Sequence, residues 1–381
     1  MTLSDTVPPP AVRYNARPYL HGPETDAAAQ AILDGQYGHG RRADLFEREL
    51  AAYLSVPDVV AVSSATTGIQ LALLACGIGP GNDVIVPSQT FAATIQPITA
   101  LGARPRFVDH DPGTLCIEPA AVLEALTPDT RAVIPVLYGG RPVDLSSILD
   151  RLQEHGITVI EDAAQAFGSR LRDAMVGADE RVVTVFSFGP IKQVTALVGG
   201  AIVPRTAGEA ARLRELRTLG ITSSQHERIA TTTYTVAGPG LRGTISDVNA
   251  AVGRIQLQRF DEVVVPRRVA LWRAYADALA DVAGARLVDV GTGAVPFNCV
   301  VRVPERDRVH RMLREHGIGV GVHYPPNHLQ PAFAAWRGPL PVTEAAAREI
   351  LSLPFHPAMT TDDARYVVAA LRQALAAIRC A

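Results

Sequence analysis

The chain has 381 residues, 48% hydrophobic and 19% charged, which supplies a core for two or three packed units and excludes bulk disorder. Its 36 basic and 38 acidic residues leave a net charge of −2 with no basic run, so it lacks the electrostatic footprint of a nucleic-acid binder. No stretch approaches the ~18 consecutive apolar residues of a membrane span, and residues 1–10 lack the basic start and apolar run of a secretory signal. Four scattered cysteines (Cys76, Cys116, Cys299, Cys380) with no CxxC spacing make the cytoplasm the expected location.

The first 20 residues carry Pro8, Pro9, Pro10 and Pro18 and read as an extended arm. Helices over 24–34 and 42–54 follow, the second with Phe46, Leu50, Tyr53 and Leu54 at helical spacing. Short apolar strands are then expected at 59–62, 84–86, 105–108, 132–137, 158–160, 182–188 and 199–203. Helices at 66–75, 90–101, 119–126 and 145–155 separate most of them. Continuous apolar strands alternating with helices predict a mostly parallel sheet covered on both faces. An arginine-rich helix at 207–219 and a Thr/Gly-rich loop at 221–244 come next. A long helix over 246–281, broken near Pro266, leads to a small α+β unit. Its expected strands are near 296–303 and 318–322, and its helices near 306–316 and 361–379. The expected division is an arm (1–20), a large unit (21–245), and a small C-terminal unit with its linking helix (246–381).

Of the 36 basic residues, 35 are arginine and one, Lys192, is lysine. Lysine can lose its proton and act as an amine nucleophile, whereas a guanidinium stays charged; the bland alternative is one surface lysine left by chance. Ligands of open parallel sheets bind at the carboxyl ends of the strands, so the residues after each strand decide. After the first strand, Ser63-Ser-Ala-Thr-Thr-Gly68 either closes around a phosphate at a helix N-terminus or is a plain N-cap. After the second, Phe91 is either a stacking ring or a core residue. After the fifth, Glu161-Asp-Ala-Ala-Gln165 offers Asp162 as partner of a protonated ring nitrogen or as a helix cap. After the sixth comes Gly189-Pro-Ile-Lys192, with Ser187 at the strand end where its hydroxyl can meet a phosphate. Together these residues fit one ligand, pyridoxal 5′-phosphate (PLP). It needs a lysine for its Schiff base, a carboxylate to keep its ring nitrogen protonated, and a phosphate cup.

These residues resemble the DegT-type (DegT/DnrJ/StrS) sugar aminotransferases, a branch of the fold-type-I PLP enzymes of the aspartate aminotransferase superfamily. The likeness runs from Gly35 to Pro357. It is carried by Gly77-Ile-Gly-Pro-Gly81, Pro87-Ser-Gln-Thr-Phe-Ala-Ala-Thr94, Gly102-Ala-Arg-Pro-Arg-Phe-Val-Asp109, Val159-Ile-Glu-Asp-Ala-Ala-Gln-Ala166, Phe186-Ser-Phe-Gly-Pro-Ile-Lys192 and His323-Tyr-Pro-Pro-Asn-His328. The resemblance implies an α/β fold, with a mostly parallel seven-stranded sheet between helices in the large domain and a smaller C-terminal α+β domain. It implies that Lys192 carries the cofactor and moves the proton, and that Asp162 pairs with the ring nitrogen. It places Gln165 near the ring's phenolic oxygen and Phe91 on the ring. Ala65, Thr66 and Ser187 contact the phosphate. Tyr37, His323 and His328 fall on the substrate side. It further implies a homodimer whose active sites are built by both subunits.

The sequence departs from the family in three places. Ser64-Ala65-Thr66 stands where Asn-Gly-Thr is usual, and Ala196-Leu-Val-Gly-Gly200 where Thr-Gly-Glu-Gly-Gly is usual. Gly240-Leu-Arg242 replaces Gly-Tyr-Asn, whose asparagine reaches the partner subunit's phosphate. Arg242 therefore serves either that phosphate or a substrate diphosphate. Lys192 argues against the related dehydratases, which carry histidine there.

The expected activity is transfer of an amino group from an amino acid, L-glutamate by family likeness, to a nucleotide-linked keto-sugar. This is amino-sugar biosynthesis of the kind that serves antibiotics or polysaccharides. The five-residue spacing of His323 and His328 resembles members that aminate a 4-keto-6-deoxyhexose, with a cyclitol or a 3-keto sugar as the alternative acceptor. A regulatory protein on a degenerate fold fits poorly with an intact lysine, aspartate and glutamine. A nicotinamide site fails because Gly77-Ile-Gly-Pro-Gly81 follows a helix rather than a strand. His310, His316, His323 and His328 match no standard zinc spacing and read as lining of a polar cleft, so no metal is expected.

Overall fold

The computed structural model describes residues 8–223 and 230–380; residues 1–7 of the expected arm and 224–229 of the expected loop lie outside them. In order the chain forms α1 (Pro23–Leu33), α2 (Arg41–Leu54), β1 (Val60–Val62), α3 (Ala65–Ala75), β2 (Asp83–Pro87), α4 (Ala92–Ala100), β3 (Arg104–Val108), α5 (Pro119–Glu124), β4 (Thr130–Val133), α6 (Ser146–Glu154) and β5 (Thr158–Asp162). A hairpin of β6 (Arg170–Leu171) and β7 (Ala174–Met175) precedes β8 (Val183–Ser187) and β9 (Gly200–Val203). Then come α7 (Ala207–Leu216), α8 (Asp247–Gln258), α9 (Val265–Leu279), β10 (Arg286–Leu287), β11 (Cys299–Arg302), α10 (Arg306–Glu315), α11 (Pro341–Glu349), β12 (Ile350–Leu353) and α12 (Thr361–Arg379).

Seven strands form one sheet in the order β1-β9-β8-β5-β4-β2-β3. Only β9 runs against its neighbours β1 and β8; the pairings among β8, β5, β4, β2 and β3 are parallel. The apolar runs explain this, since β2 and β9 are buried at every residue, as strands covered on both faces must be. One face packs against α3, α4 and α7 through Ile69, Ile95 and Leu213. The other packs against α2 and α6 through Phe46, Leu50 and Ile148. Two glycines permit the closest approaches. A Cβ on Gly68 would lie 2.8 Å from Val185 Cγ1, and one on Gly200 would lie 2.7 Å from the Ala65 nitrogen.

A second core, with Leu271, Tyr275, Val301, Val309 and Leu371, fills the C-terminal part around the antiparallel sheet β10-β11-β12. Residues Asp247–Val264, which carry the linking helix, pack against the first core through Ala250, Leu257, Phe260 and Val264. In two respects the structure differs from the expected elements. The long helix breaks earlier than Pro266, at a π-turn over Phe260–Val264; Pro266 sits in the first turn of α9, where its missing N–H costs nothing. Residues 318–322 form only a bridge, Gly321 to Ser352, and Gly319 instead donates its N–H to Val12 of the arm at 2.8 Å. The third strand is β12. No helix among the described residues is long and apolar enough to cross a membrane.

Candidate active site

The carboxyl ends of β2, β5 and β8 and the N-terminus of α3, which follows β1, all open on one edge of the large sheet. Asp162 ends β5 and is buried, 6% exposed. Its Oδ2 accepts from Thr94 Oγ1 at 2.6 Å and its Oδ1 from the Ala164 N–H at 3.1 Å. Thr94 is in turn held to Thr90 at 2.8 Å. Burial pushes the Asp162 carboxyl up, while Thr94, Ala164 and Lys192 favour its charge. Lys192 follows β8, with its Nζ 4.6 Å from the Phe297 ring centre. Burial pulls its ammonium down to about 8; Asp162 opposes that and the Arg268 guanidinium adds to it. Arg268 is buried and bonded through Nη1 to the carbonyls of Pro296 (3.2 Å) and Phe297 (3.1 Å).

Ser64 caps α3, accepting from the Thr67 N–H at 3.1 Å, and so places Ala65 and Thr66 in the helix's first turn. The Thr66 hydroxyl takes no hydrogen bond among the described residues, and that end of the helix favours an anion. Ser187 ends β8, its Oγ 3.4 Å from the Gly189 N–H. Phe91, just before α4, is 59% exposed, its ring 5.5 Å from that of Tyr324. Gln165 is fixed at both ends: Oε1 accepts from the Gly139 N–H at 2.8 Å and Nε2 donates to the Tyr324 hydroxyl at 3.2 Å. Burial and the nearby Asp162 push the Tyr324 phenol upward. His323 binds Ser352 Oγ through Nδ1 at 2.8 Å, and burial with the Lys192 charge pulls its imidazolium down to about 4, so it is neutral at physiological pH.

The structure separates the remaining sequence candidates. His328 does not share this pocket's surface: it is fully buried, with Nδ1 2.6 Å from Ser88 Oγ and Nε2 3.4 Å from Glu344. Asn327 binds the carbonyls of Ser88 (3.0 Å) and Thr90 (2.6 Å), so the 327–328 pair ties this segment to the end of β2. Tyr37 is 60% exposed between α1 and α2. Arg242 is exposed and lines a separate cavity of about 1230 Å³ with His39, Arg41, Arg212 and Arg217. His310, His316, His323 and His328 do not converge: His316 binds the Met312 carbonyl at 2.7 Å, and His323 and His328 have the partners given above. The one metal-competent cluster found among the described residues is His39, Asp44 and Glu47. Glu47 already pairs with Arg214 (3.1 Å) and Arg217, which makes it an ion-pair network. Thr94 and Tyr324 lie within the Pro87–Thr94 and His323–His328 stretches, whereas Phe297 and Arg268 carry no sequence signal and join the site only through the fold.

The pocket fits PLP on its own terms. It offers one amine with a lowered proton affinity, one buried carboxylate held by two donors, an exposed aromatic face and an anion-favouring helix end. A model of the DegT/DnrJ/EryC1/StrS aminotransferase family matches residues 19–372. The chain belongs to this family. It is a PLP-dependent aminotransferase with the fold of the type-I PLP enzymes. Among solved structures it is similar to the aminotransferase TlmJ from Streptoalloteichus hindustanus (34% identity, 96% of this chain and 99% of that one, TM-score 0.88). It is also similar to DesV from S. venezuelae, solved with a ketimine intermediate (36% identity, 93% and 94%, TM-score 0.86). A third is the sugar aminotransferase CalS13 from Micromonospora echinospora (29% identity, 97% and 100%, TM-score 0.88). In this aminotransferase the departures noted in the sequence have visible outcomes. Ala65 keeps its place in the cap, and Leu197, in the Ala196–Gly200 stretch, adopts a left-handed φ of 62° with 40% exposure.

Proposed function

We propose that this family member moves an amino group from an amino acid, L-glutamate, to the ketone of a nucleotide-linked sugar. The acceptor is a 4-keto-6-deoxyhexose, and each of the homodimer's two sites draws on both subunits. The observation that carries the reading is that the only lysine and a buried, doubly held aspartate, close enough for their charges to interact, stand at the carboxyl edge of a mostly parallel sheet. The likeness to CalS13, named a sugar aminotransferase, supports the acceptor class.

Bound PLP supplies a carbonyl for the donor amine and an electron sink for the carbon that loses its proton. The chain supplies the rest. Burial brings the Lys192 ammonium down to about 8, so more of its amine is free at neutral pH than in an ordinary lysine. That free amine is what holds the cofactor and carries the proton. Thr94 and Ala164 hold the Asp162 carboxylate in place, so it would keep the ring nitrogen of bound PLP protonated. Gln165, clamped by Gly139 and Tyr324, would serve the ring oxygen, and Phe91 would cover the ring. Ala65, Thr66 and Ser187 would receive the phosphate. Arg242 acts in the partner's site, in keeping with its exposure and its separate cavity.

The choice of carbon follows from chain length. Ser88 pins His328, so the length of the 324–327 segment sets where His323 stands relative to Lys192. One residue more or less moves it by up to ~3.5 Å, about the span of two ring carbons. Incubation of the PLP-loaded enzyme and glutamate with a panel of nucleotide keto-sugars, followed by NMR of the product, is expected to show an amine at C4. An amine at C3, or turnover of a cyclitol ketone alone, would replace this acceptor.

A further inference from the structure

Neighbouring residues on a strand face opposite sides of the sheet. Asp162 faces the site described above, so Glu161 faces away from it, and there it lines a second cavity of about 570 Å³. That volume is in the range of small-molecule pockets. The walls come from the loop before α6, from α6 and from the β6–β7 hairpin with the loop that follows, including Val143, Leu145, Leu149, Met175 and Val176. These apolar side chains share the lining with charged ones, Asp144, Arg172, Asp173, Asp179, Glu180 and Arg181. Glu161 is the one carboxyl on the sheet floor. Its Oε2 accepts from Thr184 Oγ1, its register partner on β8, at 2.7 Å. Its Oε1 takes no hydrogen bond among the described residues.

The charges at the rim cancel in pairs. Arg172 meets Asp144 at 2.8 Å and Arg181 meets Asp179 at 2.7 Å. Asp173 and Glu180 also line the cavity and have no cation partner among the described residues. The balance is negative, and no guanidinium reaches Glu161. Burial, with Asp179 adding to it, pushes the Glu161 carboxyl up to about 7 against the pull of Thr184. A carboxylate in apolar surroundings is stabilised chiefly by a cation brought to it with its own apolar body.

We infer that this cavity is a binding site for a small organic amine, its ammonium on Glu161 Oε1 and its apolar body between Leu145, Leu149 and Met175. The inference is independent of the proposed sugar substrate, because it uses the opposite face of the sheet. A tertiary amine is the suitable probe, since without the two N–H hydrogens of a primary amine it cannot form an imine with the carbonyl of bound PLP.

The test is isothermal titration of the PLP-loaded enzyme with N,N-dimethylbenzylamine and, as the uncharged control, benzyl alcohol. The amine is expected to bind at least about tenfold tighter than the alcohol. Glu161→Gln is expected to bring the amine down to the alcohol's level. Ala178→Trp, on the cavity wall, is expected to abolish binding of both while leaving the cofactor's absorbance unchanged, and it carries the test if Glu161→Gln fails to fold. The site is overturned if the unmodified enzyme does not bind the amine. It is equally overturned if Glu161→Gln binds it as tightly as the parent, or if binding survives Ala178→Trp.

Discussion

The floor around Lys192 and the cavity around Arg242 handle charge in opposite ways. On the floor, one amine and one carboxylate lie in dry surroundings, and the carboxylate is held by Thr94 and Ala164. The cavity of about 1230 Å³ is open and crowded with arginines. Arg212 and Arg214 are matched at Glu215 and Asp58, whereas Arg41 and Arg242 have no ion pair among the described residues. A dry site draws its effect from a few placed partners, because burial magnifies every unmet charge. An open basin draws on guanidiniums left free for something that is not part of the chain. The first has its partners fixed within the chain, whereas the second leaves Arg41 and Arg242 without an ion pair among the described residues.

This contrast ranks the expected effects of substitution. Lys192→Arg keeps the positive charge but removes the amine, and turnover is expected to fall at least about a thousandfold; an appreciable residual rate in steady-state assays would break the floor's claim to the chemistry. Asp162→Asn nearly preserves volume and removes the charge, for an expected loss of about 3–5 kcal/mol in transition-state stabilisation with PLP still bound. Its second signature is a pH shift. In the cofactor-free protein Lys192 is depressed, so its amine becomes free as pH rises through about 8, and labelling by an amine reagent should rise with it. Asp162 is the partner that holds this value up, so in Asp162→Asn the labelling midpoint moves lower still. An unmoved or higher midpoint would separate the two residues.

Arg242→Ala sharpens the other half of the comparison. A loss of about thirtyfold is expected, from a single charge-assisted contact. Mixed with Lys192→Ala, it should recover part of its activity through hybrid dimers, each of which holds one site with both groups intact. No recovery, with subunit exchange verified, would assign Arg242 to its own subunit. The smallest effect is expected of Thr94→Val, which removes one of the two donors to Asp162 and leaves Ala164 in place. A loss of about 1.5 kcal/mol, or roughly tenfold in rate, is the expected size.

What was legible in the sequence was local. A lone lysine, an acid at a strand end and a run of small residues before a helix are each read within a few positions, and the parallel sheet follows from seven apolar runs. What was not legible depends on distant partners. Ser88, 240 positions away, holds the imidazole of His328, a contact that no local pattern announces. Thr94 reads as an ordinary helix residue, and only the fold brings it to Asp162, 68 positions away. Ile350–Leu353 is too short and too close to a helix to announce itself, and it becomes a strand by pairing with β11. The break before α9 lies at Phe260–Val264 and not at the visible proline, because a π-helical turn has no sequence signal of its own.

The most direct test of the central claim uses the scarcity of lysine. Borohydride reduction of the PLP-loaded protein, followed by peptide mass spectrometry, is expected to leave the pyridoxyl mass on Lys192 and on no other residue. A loaded protein whose cofactor washes out after reduction, or whose label sits on the N-terminal amine, would contradict the assignment of Lys192 as the residue that holds the cofactor.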